Sequence, residues 1–142
     1  MSRLKDQADA VAAILNAAEL SQSFTAAVAY DPYAELADLS TLSVMVVPRA
    51  EEEAAIDRSQ ITAQSQVDIG IRKALDAVTP AAVDPYLDLC EEIKALFRRR
   101  VLDTTPRACW TATTQDPTWF PDDLADKHQF TAVITLTFLT RV

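Results

Sequence analysis

The chain has 142 residues, a formal net charge of −8 and 49 % apolar residues, with one glycine, one histidine and two cysteines. That length and apolar fraction fit one domain with a core of its own, and an acidic surface repels nucleic acid rather than gripping it. With Gly70 as the sole glycine, phosphate-cradling glycine loops are excluded, and His128, Cys90 and Cys109 cannot supply the four ligands of a structural zinc site.

No run of 18 or more apolar residues occurs, so no membrane-spanning helix is expected. The opening "MSRLKDQADA" lacks an apolar signal core, and a cytosolic chain is expected from it. No EF-hand spacing is present, and no cofactor or metal is expected.

The segment from Leu4 to about Leu20 places Ala8, Val11, Leu15 and Ala18 on one helical face, with Lys5, Asp9 and Asn16 opposite. In "SFTAAVAYDP", Phe24, Ala26, Val28 and Tyr30 alternate as in a strand, stopped by Pro32. A second strand over Leu42–Val47 is apolar on both faces toward its end, which suits a central or doubly covered strand ended by Pro48. The acidic "EEEAAIDRSQ" reads as an exposed loop or short helix. After it, Ile61, Ala63, Val67, Ile69 and Ile71 alternate with Thr62, Gln64, Gln66, Asp68 and Arg72, one buried face and one wet face.

A second helix is predicted with Asp84 as N-cap, Pro85 as its first residue, and a stripe of Tyr86, Leu89, Cys90, Ile93, Leu96 and Phe97. Cys90 on that stripe reads as a small core residue. Arg98, Arg99 and Arg100 fall where this helix ends, and cations there are favoured by the helix dipole; a salt bridge to another subunit is the other use for them. A short strand follows near Arg107–Thr113, then one helical turn in "PDDLADKH", then a strand from Phe130. That last strand could extend about 43 Å at roughly 3.3 Å per residue. Either it curls, or its end at Leu139, Arg141 and Val142 leaves the subunit and pairs elsewhere.

The expected fold is therefore α+β, a single domain over 1–142 without a linker. It has a mostly antiparallel mixed sheet of about five strands with two main helices packed on it, in the order α-β-β-β-α-β-β. Asp122, Asp123, Asp126 and His128 could form an acid–base site for a small hydrolase or binding module. The acids also sit in the first turn of a helix, where the dipole favours them without any catalysis. Trp119 and Phe120 either cap the open end of the core or anchor an interface.

Two stretches carry a resemblance. "YDPYAELADLSTLSVMVVPRA" has Tyr-x-Pro, then Glu-Leu-x-Asp-Leu, then an apolar strand ending in Val-Pro-Arg. "QDPTWFPDDLADKHQFTAVITLTF" has Asp-Pro-x-x-x-Pro, a short helix, then Phe-Thr-x-Val-x-Thr-Leu-Thr. From about Phe24 onward the chain resembles head–tail joining proteins of tailed bacteriophages, and its element order is similar to that of their tail terminators. The resemblance implies a structural virion protein rather than an enzyme, assembled in the host cytoplasm and located in the virion neck. It implies a homo-oligomeric, hexameric ring that caps the tail tube and meets the head connector or stopper proteins. DNA would pass through without specific binding, which an acidic subunit suits. The alternative is another neck component of the same assembly, such as a stopper. The candidate subunit contacts are Glu51, Glu52 and Glu53 against Arg98, Arg99 and Arg100, with Trp119, Phe120, Leu139, Arg141 and Val142 beside them.

Overall fold

Three long strands carry the fold. The computed structural model describes residues 2–30 and 41–142. In chain order its elements are α1 (Arg3–Ala17), β1 (Ala26–Val28), β2 (Ser43–Ala55), β3 (Ile61–Ala74), α2 (Pro80–Phe97), β4 (Val101–Leu102), β5 (Ala108–Thr114), α3 (Pro121–Lys127) and β6 (Gln129–Arg141). The strands form one six-stranded sheet in the order β1-β2-β3-β6-β5-β4. Among the described residues only the β1–β2 pair is parallel, so the sheet is mixed and the class is α+β, as the element order implies.

Strand alternation sorts the two faces. Val44 and Val46 on β2, Val67, Ile69 and Ile71 on β3, and Ala132, Ile134, Leu136 and Phe138 on β6 lie on one face and are buried. Against them α1 buries Ala8, Val11 and Leu15, and α2 buries Leu89, Cys90, Ile93 and Phe97. These are the apolar stripes legible in both helices. Each fully buried large side chain stabilises the fold by about 1.5–3 kcal/mol. Tyr86 stacks on Phe130 with ring centroids 5.7 Å apart, which fixes α2 over β6. Asn16 holds β1 to α1: its amide donates to the Ala26 carbonyl, and its oxygen accepts from the Ala26 amide at 2.7 Å.

The structure departs from the sequence expectation in four places. Strand β2 does not end at Pro48 but bulges between Pro48 and Ala50 and runs on to Ala55. Its neighbour β1 stops opposite Val46, so among the described residues no strand pairs with Pro48 on that side and its missing N–H breaks no ladder. Glu51, Glu52 and Glu53 are therefore strand residues, not loop or helix. The turn follows them: the Asp57 carboxylate accepts from the Ser59 amide, the Ser59 hydroxyl and the Gln60 amide.

The second difference is in α2, which starts one turn early. Thr79 is the N-cap, its hydroxyl accepting from the Ala82 amide, with Pro80 as the first helical residue. Pro85 lies inside the helix. Third, a two-residue β4 adds a sixth strand. Fourth, the end of β6 is not free: it pairs with β3 out to Arg141 and with β5 at Thr140, and the Val142 amide donates to the Ile61 carbonyl. Pro32 as a strand stop, and the Glu-Leu-x-Asp-Leu motif, lie outside the described residues.

Candidate functional site

Two regions of the face turned away from α1 carry chemistry. The first is a cavity of about 610 Å³ whose lining includes Val47, Arg49, Asp68, Thr135, Asp116 and Phe120. Asp68 is only 7 % exposed although it lies on the face the alternation marks as wet. Its charge is matched locally. The Thr135 hydroxyl donates to Asp68 Oδ1 at 2.7 Å, and Arg49 Nη1 lies 3.6 Å from the same oxygen. Arg49 also donates to the Thr135 hydroxyl at 3.3 Å. A buried carboxylate is costly without such partners, and here strand register supplies them, since Asp68 and Thr135 are paired residues.

The second region is the far end of the sheet, where β2 and β3 form a hairpin. Register places Glu52, Gln64, Leu139, Cys109 and Val101 in one row across five strands. All five are exposed. Among the described residues, five of the seven exposed large apolar side chains, Ile56, Ile61, Leu139, Val142 and Val101, belong to this end; Tyr30 and Val78 lie elsewhere. A shallow groove of about 260 Å³ opens there against the β2 edge, lined by Ala50, Glu51, Glu52, Gln64 and Gln66.

The predicted contact residues divide by neighbourhood. Glu51 and Glu53 face α1, where Arg3 Nη2 contacts them at 2.7 and 2.9 Å. Those hydrogen bonds raise the Arg3 pKa. Glu52 points to the other face. At the end of α2, Arg98 is the C-cap and Arg99 takes a left-handed conformation with φ 57°. The side chain of Arg100 is turned inward, its Nε donating to the Leu96 carbonyl at 3.0 Å, which is the helix-end role expected of a cation there. Trp119 packs against the core, and Phe120 N-caps α3 through the backbone while lining the 610 Å³ cavity. Leu139, Arg141 and Val142 are exposed at the hairpin end of the sheet.

The alternative acid–base set is arranged for helix structure. Asp122 and Asp123 lie in the first turn of α3, and Asp123 is 3.9 Å from Lys127 one turn on. His128 closes α3 in a left-handed conformation, its amide bonded to the Asp123 carbonyl and its carbonyl accepting from Leu75. Among the described residues, no hydrogen bond joins the His128 ring to either aspartate. Cys90 is buried on α2, and burial pushes its thiol up to about 11. Cys109 is exposed on β5.

No protein-family model matches the chain. No curated protein matches it either. Among solved structures, it is similar to a chain of the "Virion of native gene transfer agent (GTA) particle". The two share 16 % identity, the match covers 93 % of this chain and 83 % of that one, and the TM-score is 0.37. A likeness of that size does not bear on function.

Sequence reasoning did not reach the Arg49–Asp68–Thr135 cluster. Each residue is legible as polar on an alternating strand, but the pairing that joins them depends on register between β3 and β6, which are separated by more than fifty residues. The exposed row is hidden for the same reason, since its five members come from five strands.

Proposed function

We propose that the chain is a structural subunit of a tailed-bacteriophage virion, a tail terminator that forms a ring at the head–tail junction. The observation that carries this reading is the far end of the sheet. From Arg49 to Ile61 every residue is exposed, although Ala50–Ala55 are paired with Ile61–Gln66 as a hairpin. The β2 arm of this hairpin has no described strand against its outer edge beyond Val46, and its exposed side chains add little to the subunit's own core. The exposed apolar side chains gathered at this end support an assembly surface there. The sequence resemblance supports the same reading and supplies its particulars: a hexamer, a tail tube on one side, connector or stopper proteins on the other, and DNA passing through the centre. Assembly in the host cytoplasm precedes incorporation into the virion. Immunogold labelling of purified particles tests it, with gold at the head–tail junction as the expected result. Particles that lack the protein contradict it.

A binding module is the second reading, and the Arg49–Asp68–Thr135 cavity favours it over the Asp122–His128 segment. Its polar groups converge on one open cavity, whereas those of α3 are spread over a helix surface.

A further inference from the structure

Opposite charges stand near the two ends of the exposed row. Glu52 stands on β2 at one end of the exposed row, and Val101 on β4 stands at the other. Arg98 and Arg99 lie between the end of α2 and β4, with Arg100 between them and the strand. Within the subunit the neighbouring charges are already used. Arg3 holds Glu51 and Glu53, and Arg100 is tied to the Leu96 carbonyl. Glu52 and Arg99 are both exposed, and among the described residues neither forms an ion pair.

Arg99 also stands in a left-handed backbone conformation, with φ 57°. A residue just past a helix C-cap with positive φ is the position where glycine is favoured, because a Cβ crowds the following carbonyl in that conformation. The structure places an arginine there and leaves its guanidinium outside. Across the sheet, the groove beside β2 offers a carboxylate from Glu52 and amide oxygens from Gln64 and Gln66. A guanidinium has five donors in a planar fork and suits such a set of acceptors.

We propose that Arg99 of one copy of this chain docks into the Glu52–Gln64–Gln66 groove of the next, joining the β4 edge of one subunit to the β2 edge of its neighbour. The contact is heterologous: each copy offers the arginine on one edge and the groove on the other, so successive copies close into a ring when the rotation permits. The inference rests on the ring reading above and names the contact that would build it. Arg98, beside Arg99, adds positive charge to the same edge.

The test is the mass in solution of the full chain and four variants, measured over a range of concentration. Glu52→Arg and Arg99→Glu each place like charges in the contact, and each should raise the dissociation constant of the assembly by about tenfold or more. The double variant Glu52→Arg/Arg99→Glu restores opposite charges and should return the constant toward that of the wild-type chain. Arg99→Gly separates assembly from folding. Its thermal unfolding midpoint should stay level or rise, because glycine suits the left-handed position, while the assembly weakens. Wild-type rings that persist unchanged in Arg99→Glu and Arg99→Gly overturn this contact and leave the ring reading standing. A wild-type chain that stays monomeric at every concentration overturns the ring reading and this contact with it.

Discussion

Thr135 and Asp68 face each other across the β6–β3 register, and the threonine hydroxyl donates a 2.7 Å hydrogen bond to the carboxylate. Both residues are more than nine-tenths buried, and Arg49 is the cation beside them. The bond joins two central strands on the face opposite the apolar core. It also explains how a carboxylate survives in that position.

Thr135→Val removes the donor and keeps the shape. It should destabilise the fold by about 1–3 kcal/mol, the cost of leaving a buried acceptor short of a partner. Thr135→Ser should recover most of that loss. Urea denaturation monitored by circular dichroism measures both. A valine variant as stable as the wild type would show that the hydroxyl does not support Asp68.

The two thiols should differ sharply in reactivity. Cys90 is buried among α2 core residues with its thiol pushed up to about 11, and only the thiolate reacts. Cys109 is exposed on β5. At neutral pH a thiol reagent should label one cysteine of the native chain rapidly and the second only after denaturant is added. Peptide mapping should place the fast label on Cys109. Fast labelling at Cys90 would contradict the placement of α2.

Arg3 ties the start of α1 to the hairpin through Glu51 and Glu53. The three side chains are partly exposed, so solvent and salt screen the interaction. Arg3→Ala should cost about 1 kcal/mol or less, and the cost should shrink in high salt. Protection of the hairpin amides from hydrogen exchange should fall in the same variant. Unchanged exchange over β2 would mean that the ion pairs do not restrain the hairpin.

The hairpin turn should respond to acid. Hydrogen bonds from the Ser59 amide, the Ser59 hydroxyl and the Gln60 amide lower the Asp57 pKa below its ordinary 3.8. A carboxylate with a depressed folded-state pKa contributes stability above its unfolded pKa and loses it as pH falls through the folded value. The turn should therefore hold through neutral and mildly acidic pH and loosen only below 3.8. Titration of the Asp57 carboxyl carbon by NMR should give a midpoint under that value. A midpoint at or above it would contradict the turn geometry.

Much of this fold is legible in the residues because its strands are long and one-sided. Phe130, Ala132, Ile134, Leu136 and Phe138 announce both the strand and its buried face, and all five are buried. The stripe from Tyr86 to Phe97 likewise marks the core face of α2. The errors occur where local signals conflict with the surroundings. Pro48 looks like a stop because proline breaks a ladder, but β1 ends before it and, among the described residues, no strand pairs with that stretch of edge. Asp84–Pro85 is a good helix start, yet Thr79–Pro80 is another, and the earlier one begins the helix. The long β6 suggests a departing end when length alone is considered, because its partners β3 and β5 cannot be assigned without register. The candidate contacts at Glu51, Glu52 and Glu53 are one run in sequence but two faces in space. Only strand alternation, recognised through the bulge at Pro48, separates Glu52 from the two residues held by Arg3.

The central claim is that this chain assembles into a ring. The most direct test is the molar mass of the purified chain in solution across a wide range of concentration, by light scattering coupled to size exclusion. A six-fold species, or a shift toward one as concentration rises, is the predicted result. A single-chain mass at every concentration would contradict it.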